Sequence, residues 1–240
     1  MGIGDYLERI FGGTAEEYAQ RAGKAMLEGE RLFVVTANPE ILMHAQQNPK
    51  VRELLLSKEA EIVPDGISVV KAMRILGLPA QERITGVDLA EKLLKMAGEK
   101  GKTMFLLGAK EEVVSALAKQ LRDRYPAATV HYRNGYGKDK DADFEEIAAL
   151  APDLTLVALG APAQDLLIYR HIRRFSKGVF VGVGGSFDVL SGSKRRAPAF
   201  FVKTNTEWLY RIAREPSRLG RFWNNNVKFL AEVKRAGKRS

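Results

Sequence analysis

Thr103-Met-Phe-Leu-Leu107-Gly108, followed by Val113, Val114, Leu117 and Leu121, is the stretch that decides the fold. Five consecutive β-prone and apolar residues closed by a glycine read as a strand buried on both faces. The later positions recur at helical spacing and form one apolar helix face. The same strand, glycine, helix order returns at Thr129–Tyr132, at Leu154–Leu159 before Gly160, and at Gly178–Val183. Towards the N-terminus, Arg31-Leu-Phe-Val-Val-Thr36 runs into Asn38-Pro39, and Glu61-Ile-Val63 is closed by Pro64-Asp65-Gly66. Helical faces follow each: Ile41, Leu42 and Ala45, then Val51, Leu54 and Leu55 beyond a break at Asn48-Pro49, then Val69, Val70, Met73 and Leu76. Asp88 reads as the N-cap of a helix carrying Leu89, Leu93, Leu94 and Ala97. Strands separated by helices of about a dozen residues pair in parallel through crossovers, which makes residues 1–193 an α/β layered domain.

Composition narrows the chemistry. The chain has 240 residues, 45% of them apolar, enough for a sizeable core without covalent staples. It has no cysteine, which removes disulfides, thiol catalysis and thiolate metal sites. His44, His131 and His171 show no ligand-like spacing, so zinc is not expected. Met1-Gly-Ile-Gly-Asp5 does not read as a signal peptide. The longest apolar stretch, Leu154 to Ala163, is half of the roughly 20 residues a membrane span needs. A soluble, cytoplasmic chain is the expectation.

Charge is distributed unevenly. The net charge is +9, yet residues 194–240 hold thirteen basic and three acidic side chains, and residues 1–193 are close to neutral. A basic, helix-only C-terminal appendage over 194–240, ending in a frayed tail at Lys234–Ser240, points to an anionic partner: nucleic acid, a lipid surface or a phosphorylated substrate.

In an open parallel sheet, ligands bind beyond the carboxyl ends of the strands. Thr36-Ala-Asn38, Pro64-Asp65-Gly66, Gly160-Ala-Pro-Ala-Gln164 and Gly182-Val-Gly184-Gly185-Ser186-Phe187-Asp188 fall there. Glycines after a strand let backbone N–H groups approach a phosphate. Tight βα turns would use the same glycines, but four polar, glycine-rich ends at one rim favour a binding site. The glycines lack the third position of a dinucleotide fingerprint, and no P-loop is present. Ser191-Gly-Ser193-Lys194 matches S-x-x-K without its companion motifs. Asp139, Asp141 and Asp143 precede an amphipathic helix and read as capping and first-turn charge, so no metal is predicted from them. Asp65, between proline and glycine at a strand end, is either an Asx-turn residue or a general base for a sugar hydroxyl.

These residues, with Thr36-Ala-Asn38-Pro-Glu40, Arg83-Ile-Thr-Gly86-Val-Asp88, Leu106-Leu-Gly108, Arg196-Ala-Pro198 and Glu207-Trp-Leu-Tyr-Arg211 to Glu215-Pro-Ser-Arg218, occur in an order that resembles the WecG/TagA/CpsF family of bacterial glycosyltransferases. The likeness covers about residues 30–225 and is closest to the N-acetylmannosaminyltransferases of that family. It implies an α/β fold with a Rossmann-like, mostly parallel sheet, helices on both faces and the basic appendage. It implies inverting, metal-independent transfer of N-acetylmannosamine from UDP to the 4-hydroxyl of N-acetylglucosamine on undecaprenyl diphosphate, in wall teichoic acid synthesis. No cofactor is implied. Asp65 would be the catalytic base. Thr36, Asn38 and Gln164 would hold sugar, and Gly108, Tyr136, Gly184, Gly185 and Asp188 the nucleotide. Arg211, Arg218 and Arg221 would meet the lipid diphosphate at an anionic membrane, with Phe222 and Trp223 beside them. The spacing of those arginines puts them on one helical face if a helix continues past Pro216. Peripheral attachment to the inner face of the cell membrane and no nucleic-acid partner are expected; monomer, dimer and trimer stay open. Asp165 stands where the family usually has glutamate, Ala163 replaces a common lysine, and Thr204-Asn205-Thr206 replaces an apolar turn. Competing readings are a family member with another UDP-sugar, a membrane- or nucleic-acid-binding module, and a dinucleotide-dependent oxidoreductase.

Overall fold

The structure is a computed structural model that describes residues 2–214 and 218–237. Two helices, α1 (Ile3–Leu7) and α2 (Ala15–Glu28), precede strand β1 (Arg31–Ala37). Helices α3 (Pro39–Gln47) and α4 (Pro49–Leu56) lead to β2 (Ala60–Pro64), and α5 (Ile67–Ile75) and α6 (Gly86–Glu99) to β3 (Thr103–Gly108). Then α7 (Glu111–Arg124), β4 (Thr129–Arg133), α8 (Lys140–Leu150), β5 (Leu154–Ala158), α9 (Ala163–His171) and β6 (Gly178–Gly182) alternate. The chain finishes with α10 (Ser186–Leu190), α11 (Ala199–Lys203), α12 (Glu207–Arg214) and α13 (Arg218–Gly237).

The six strands form one sheet in the order β2-β1-β6-β5-β3-β4, with every pairing parallel. All six were legible as apolar runs. β5 and β6 are buried at every position, because helices cover both faces of a parallel sheet. One core layer joins β-strand residues such as Phe33, Phe105 and Phe180 to α3, α4, α5, α8 and α9. The other joins Val34, Leu106 and Val181 to α2, α6 and α7. At the edges the sheet is protected differently. β4 is partly exposed and polar (His131, Arg133), whereas Phe11 N–H donates to the Ile62 carbonyl at 2.8 Å and covers β2.

Two local expectations are corrected. The cap of α6 is Thr85, not Asp88: the Asp88 N–H donates to Thr85 Oγ1 at 3.1 Å, and Asp88 lies in the first turn. A hydroxyl one turn earlier caps as well as a carboxylate, and the acid then stabilises the helix N-terminus instead. The tail expected to fray from Lys234 is helical through Gly237, because Phe229 and Val233 are fully buried against the core and hold α13 down; residues 238–240 lie outside the described residues. α13 packs on α1, α3 and α5, and Ser68 Oγ–H donates to Asn226 Oδ1 at 2.5 Å. Asp139 does cap α8, accepting from the Ala142 N–H at 2.9 Å.

Candidate active site

The carboxyl ends of β1, β2, β5 and β6 converge on a cavity of about 410 Å³ whose wall includes Thr36, Asn38, Asp65, Gly160, Gln164, Gly184 and Gly185. Each is placed by the local fold. Thr36, at the end of β1, is buried and donates its hydroxyl to the Gly182 carbonyl at 2.9 Å, tying β1 to β6. Asn38 caps α3 through Oδ1, which accepts from the Ile41 N–H at 3.1 Å. Pro39 then starts the helix, since its missing N–H would have no partner there.

Asp65 follows β2 directly. Its N–H donates to the Ala37 carbonyl at 2.8 Å, extending the β1–β2 ladder by one residue. Its carboxylate faces the cavity and Oδ2 accepts from the Gly86 N–H at 3.4 Å, at the first turn of α6. The positive end of that helix favours the ionised acid. Asp65 therefore stands on the same side of the sheet as the glycine loops.

Gln164 joins those loops. It is buried, and Oε1 accepts from the Gly160 N–H at 3.1 Å and from the Gly184 N–H at 2.9 Å. One side chain thus fixes the turns after β5 and β6 relative to each other. Close approach of α9 to β6 requires glycine at 182: a Cβ there would lie 2.4 Å from Asp165 Oδ1 and 2.7 Å from Gln164 Nε2.

A second cavity of about 550 Å³ shares Gly185 and Val189 with the first. It is lined by Asp188, Lys194, Arg195, Arg196 and Arg214. Lys194 Nζ lies 3.8 Å from Asp188 Oδ2. Four basic side chains to one acid make this wall a place for an anionic group.

Two of the expected nucleotide residues line neither cavity. Gly108 has φ 124°, and a Cβ there would come within 2.4 Å of the Ala158 carbonyl, so glycine serves the β3–β5 pairing. Tyr136 is exposed in the turn after β4, at the far edge of the sheet from β1 and β2. The side chains of Arg211, Arg218, Arg221 and Phe222 lie outside the described residues. Arg211 belongs to α12 (Glu207–Arg214), and Arg218 and Arg221 belong to α13 (Arg218–Gly237); residues 215–217 between them, on which the one-face expectation depends, lie outside the described residues.

The cavity also holds side chains to which the sequence assigned no role. Glu40 in the first turn of α3 is a further carboxylate of the wall, and Arg83, Glu207 and Trp208 close one side. Arg83 Nη2 is 2.5 Å from Glu207 Oε2, and Arg196 Nη2 is 2.5 Å from Asp88 Oδ1, with Arg196 Nε 3.9 Å from Glu207 Oε1. This chain of charges fastens the start of α12 to the loop before α6. The available signal was position: Arg83 and Asp88 bracket the cap Thr85, and Glu207 opens α12. Among the described residues, no group of three or more His, Asp or Glu could hold a metal ion, and no helix is long and apolar enough to cross a membrane.

A carboxylate, a glutamine-clamped pair of glycine loops and an adjoining basic wall define an α/β protein with a polar cleft at the strand ends. The model of the glycosyl transferase WecG/TagA/CpsF family matches residues 8–240, and the chain belongs to that family. A protein of Bacillus spizizenii named N-acetylglucosaminyldiphosphoundecaprenol N-acetyl-beta-D-mannosaminyltransferase is 43% identical over 187 residues, covering 78% of this chain and 72% of its own. One of the same name from Staphylococcus aureus is 40% identical over 191 residues, covering 79% and 75%.

Proposed function

We propose that this chain transfers N-acetylmannosamine from UDP to the 4-hydroxyl of N-acetylglucosamine on undecaprenyl diphosphate, with inversion and without a metal, in the synthesis of wall teichoic acid. The observation that carries the reading is the placement of Asp65 in one cavity with the Gln164-clamped loops, beside a second cavity rich in arginine and lysine. In a single displacement the acceptor hydroxyl attacks the anomeric carbon opposite the departing UDP, and one base suffices. Asp65 takes the hydroxyl proton as the new C–O bond forms and the bond to the diphosphate breaks. Thr36 and Asn38 border the sugar. The Gly185 N–H, in the loop that Gln164 holds, receives the diphosphate, and Lys194, Arg195 and Arg214 offset the charge that grows on it. Asp188 sits at the nucleotide side.

The 194–240 appendage meets the lipid. Trp223 is exposed on α13 and Phe200 on α11, among basic residues, which suits peripheral contact with an anionic membrane and the lipid diphosphate. Arg211, Arg218 and Arg221 are the guanidinium groups assigned to that diphosphate. The relatives' printed name supports both donor sugar and acceptor.

The test is transfer to a soluble-tail analogue of the acceptor from UDP-N-acetylmannosamine, UDP-N-acetylglucosamine and UDP-glucose, each with and without EDTA. The reading predicts product from the first donor alone, unaffected by EDTA. Product from a different donor, or loss of product with EDTA, would overturn the donor or the metal-independent part of it.

A further inference from the structure

α9 carries a carboxylate that the reaction above does not use. Asp165 follows Gln164, is 1% exposed, and neither of its oxygens has a hydrogen-bond partner among the described residues. Both side chains press on the same point: the space above the Gly182 Cα is bounded by Asp165 Oδ1 and Gln164 Nε2. Among the described residues no ion pair reaches Asp165. Around α9, Glu53 of α4 is bonded to Tyr169, Arg52 to the carbonyls of Ala45 and Gln46, and Arg31 of β1 to Glu59. On α8, Asp141 is engaged with Arg170 and His171, Asp143 with Arg133 and Lys140, Glu145 with Arg174, and Glu146 with Arg133. β6 has no ionisable side chain. A lone charge in such surroundings is so costly that the group neutralises instead. Burial raises the Asp165 carboxyl to about 7; its own backbone N–H and the Gln164 amide lie close enough to offset part of that rise, but neither is in hydrogen-bond geometry with it.

We propose that Asp165 is a positioning residue, held as the neutral acid against Gly182, which keeps Gln164 seated so that its Oε1 holds the Gly160 and Gly184 loops together. Release of the Asp165 proton to solvent leaves a buried carboxylate beside Gln164, and the seat loosens. The inference rests on the reading of this cavity as the UDP-sugar site. It makes donor affinity fall as pH rises through neutrality, although the diphosphate diester of a UDP-sugar has no group that titrates there.

The experiment compares the parent with Asp165→Asn, which keeps the shape and cannot ionise. The Kd for UDP-N-acetylmannosamine is measured by calorimetry from about pH 6 to about pH 8.5, alongside kcat. If only the protonated form binds well, the parent Kd rises about 30-fold over that window, while the variant stays flat. A merely structural role would lower thermal stability without producing a pH-dependent Kd that the variant abolishes. Infrared difference spectra of parent against variant give a second readout: a protonated-carboxyl band at about pH 6 that is lost at about pH 8.5. A variant Kd that tracks the parent, or absence of that band at the lower pH, overturns the proposal. If neither protein binds the UDP-sugar at any pH, the donor reading itself fails, and the band still decides whether Asp165 is neutral.

Discussion

Removing the Glu207 carboxylate should release the start of α12 from the rim without unfolding the α/β core. The carboxylate is 5% exposed and sits between two guanidinium groups, 2.5 Å from Arg83 and 3.9 Å from Arg196. Deleting one partner of a buried pair costs about 3–5 kcal/mol, because the remaining charge stays desolvated. Here the figure falls at or below the bottom of that range. Arg196 keeps Asp88 as a partner, and the two guanidinium side chains are 13% and 28% exposed, so water reaches them. About 2–3 kcal/mol is therefore expected for Glu207→Ala. Much of it falls on α12, whose packing is against α11 and α13 and whose tie to the rim is this charge cluster. At 1.4 kcal/mol per tenfold, amide hydrogen exchange across Glu207–Arg214 should quicken by about 30- to 150-fold, while exchange in β5 and β6 changes little. Arg83, freed in the cavity wall, should also lose its set position, so kcat/KM falls with the local stability. Unchanged exchange over Glu207–Arg214, or equal acceleration in the central strands, would refute the view that this cluster fastens α12.

Other consequences are as specific. Asp165 is protonated in the folded chain up to about pH 7 and ionised above about pH 3.9 when unfolded, so unfolding releases a proton between those values. Stability should fall as pH rises from about 4 to 7, by at most about 4 kcal/mol, and level off above; urea titrations of Asp165→Asn should lack that slope, and parallel curves would contradict the assignment. Phe229 is fully buried where α13 meets the core, so Phe229→Ala should cost about 3–5 kcal/mol in thermal or urea unfolding. A loss under about 1 kcal/mol would mean that α13 is not docked as described. Gly182→Ala forces a methyl into Asp165 and Gln164, which should cost about 1–3 kcal/mol and weaken UDP-sugar binding together; unchanged binding would show that the clamp does not matter to the donor.

The strands were legible because a parallel sheet covered on both faces demands unbroken apolar runs, and Leu154–Leu159 or Gly178–Val183 can hardly be anything else. The rim was legible for a related reason: polar residues and glycines immediately after such runs have only the carboxyl edge to occupy. Thr36, Asn38, Asp65, Gln164, Gly184 and Gly185 accordingly meet in one cavity. What the one-dimensional pattern does not carry is pairing across the chain. Arg83 and Glu207 are 124 residues apart, and nothing in either segment announces the other. Gly108 goes to the nucleotide only through the family resemblance; the 2.4 Å approach of the Ala158 carbonyl gives it a structural use in the strand pairing. Asp88 and Thr85 compete for one cap, and local composition does not rank a carboxylate above a hydroxyl. Asp165 reads as an ordinary polar residue of a helix start until its burial is known.

The central claim is that Asp65 accepts the acceptor's proton, and the wall offers Glu40 as a second carboxylate against which to test it. The most direct measurement is single-turnover transfer by Asp65→Asn and Glu40→Gln, with the Kd for UDP-N-acetylmannosamine determined for each. Asp65→Asn should lower the rate about 10²- to 10⁴-fold with donor affinity kept within a few-fold, and Glu40→Gln should stay much closer to the parent rate. A near-parent rate in Asp65→Asn, or the large loss appearing in Glu40→Gln instead, would contradict it.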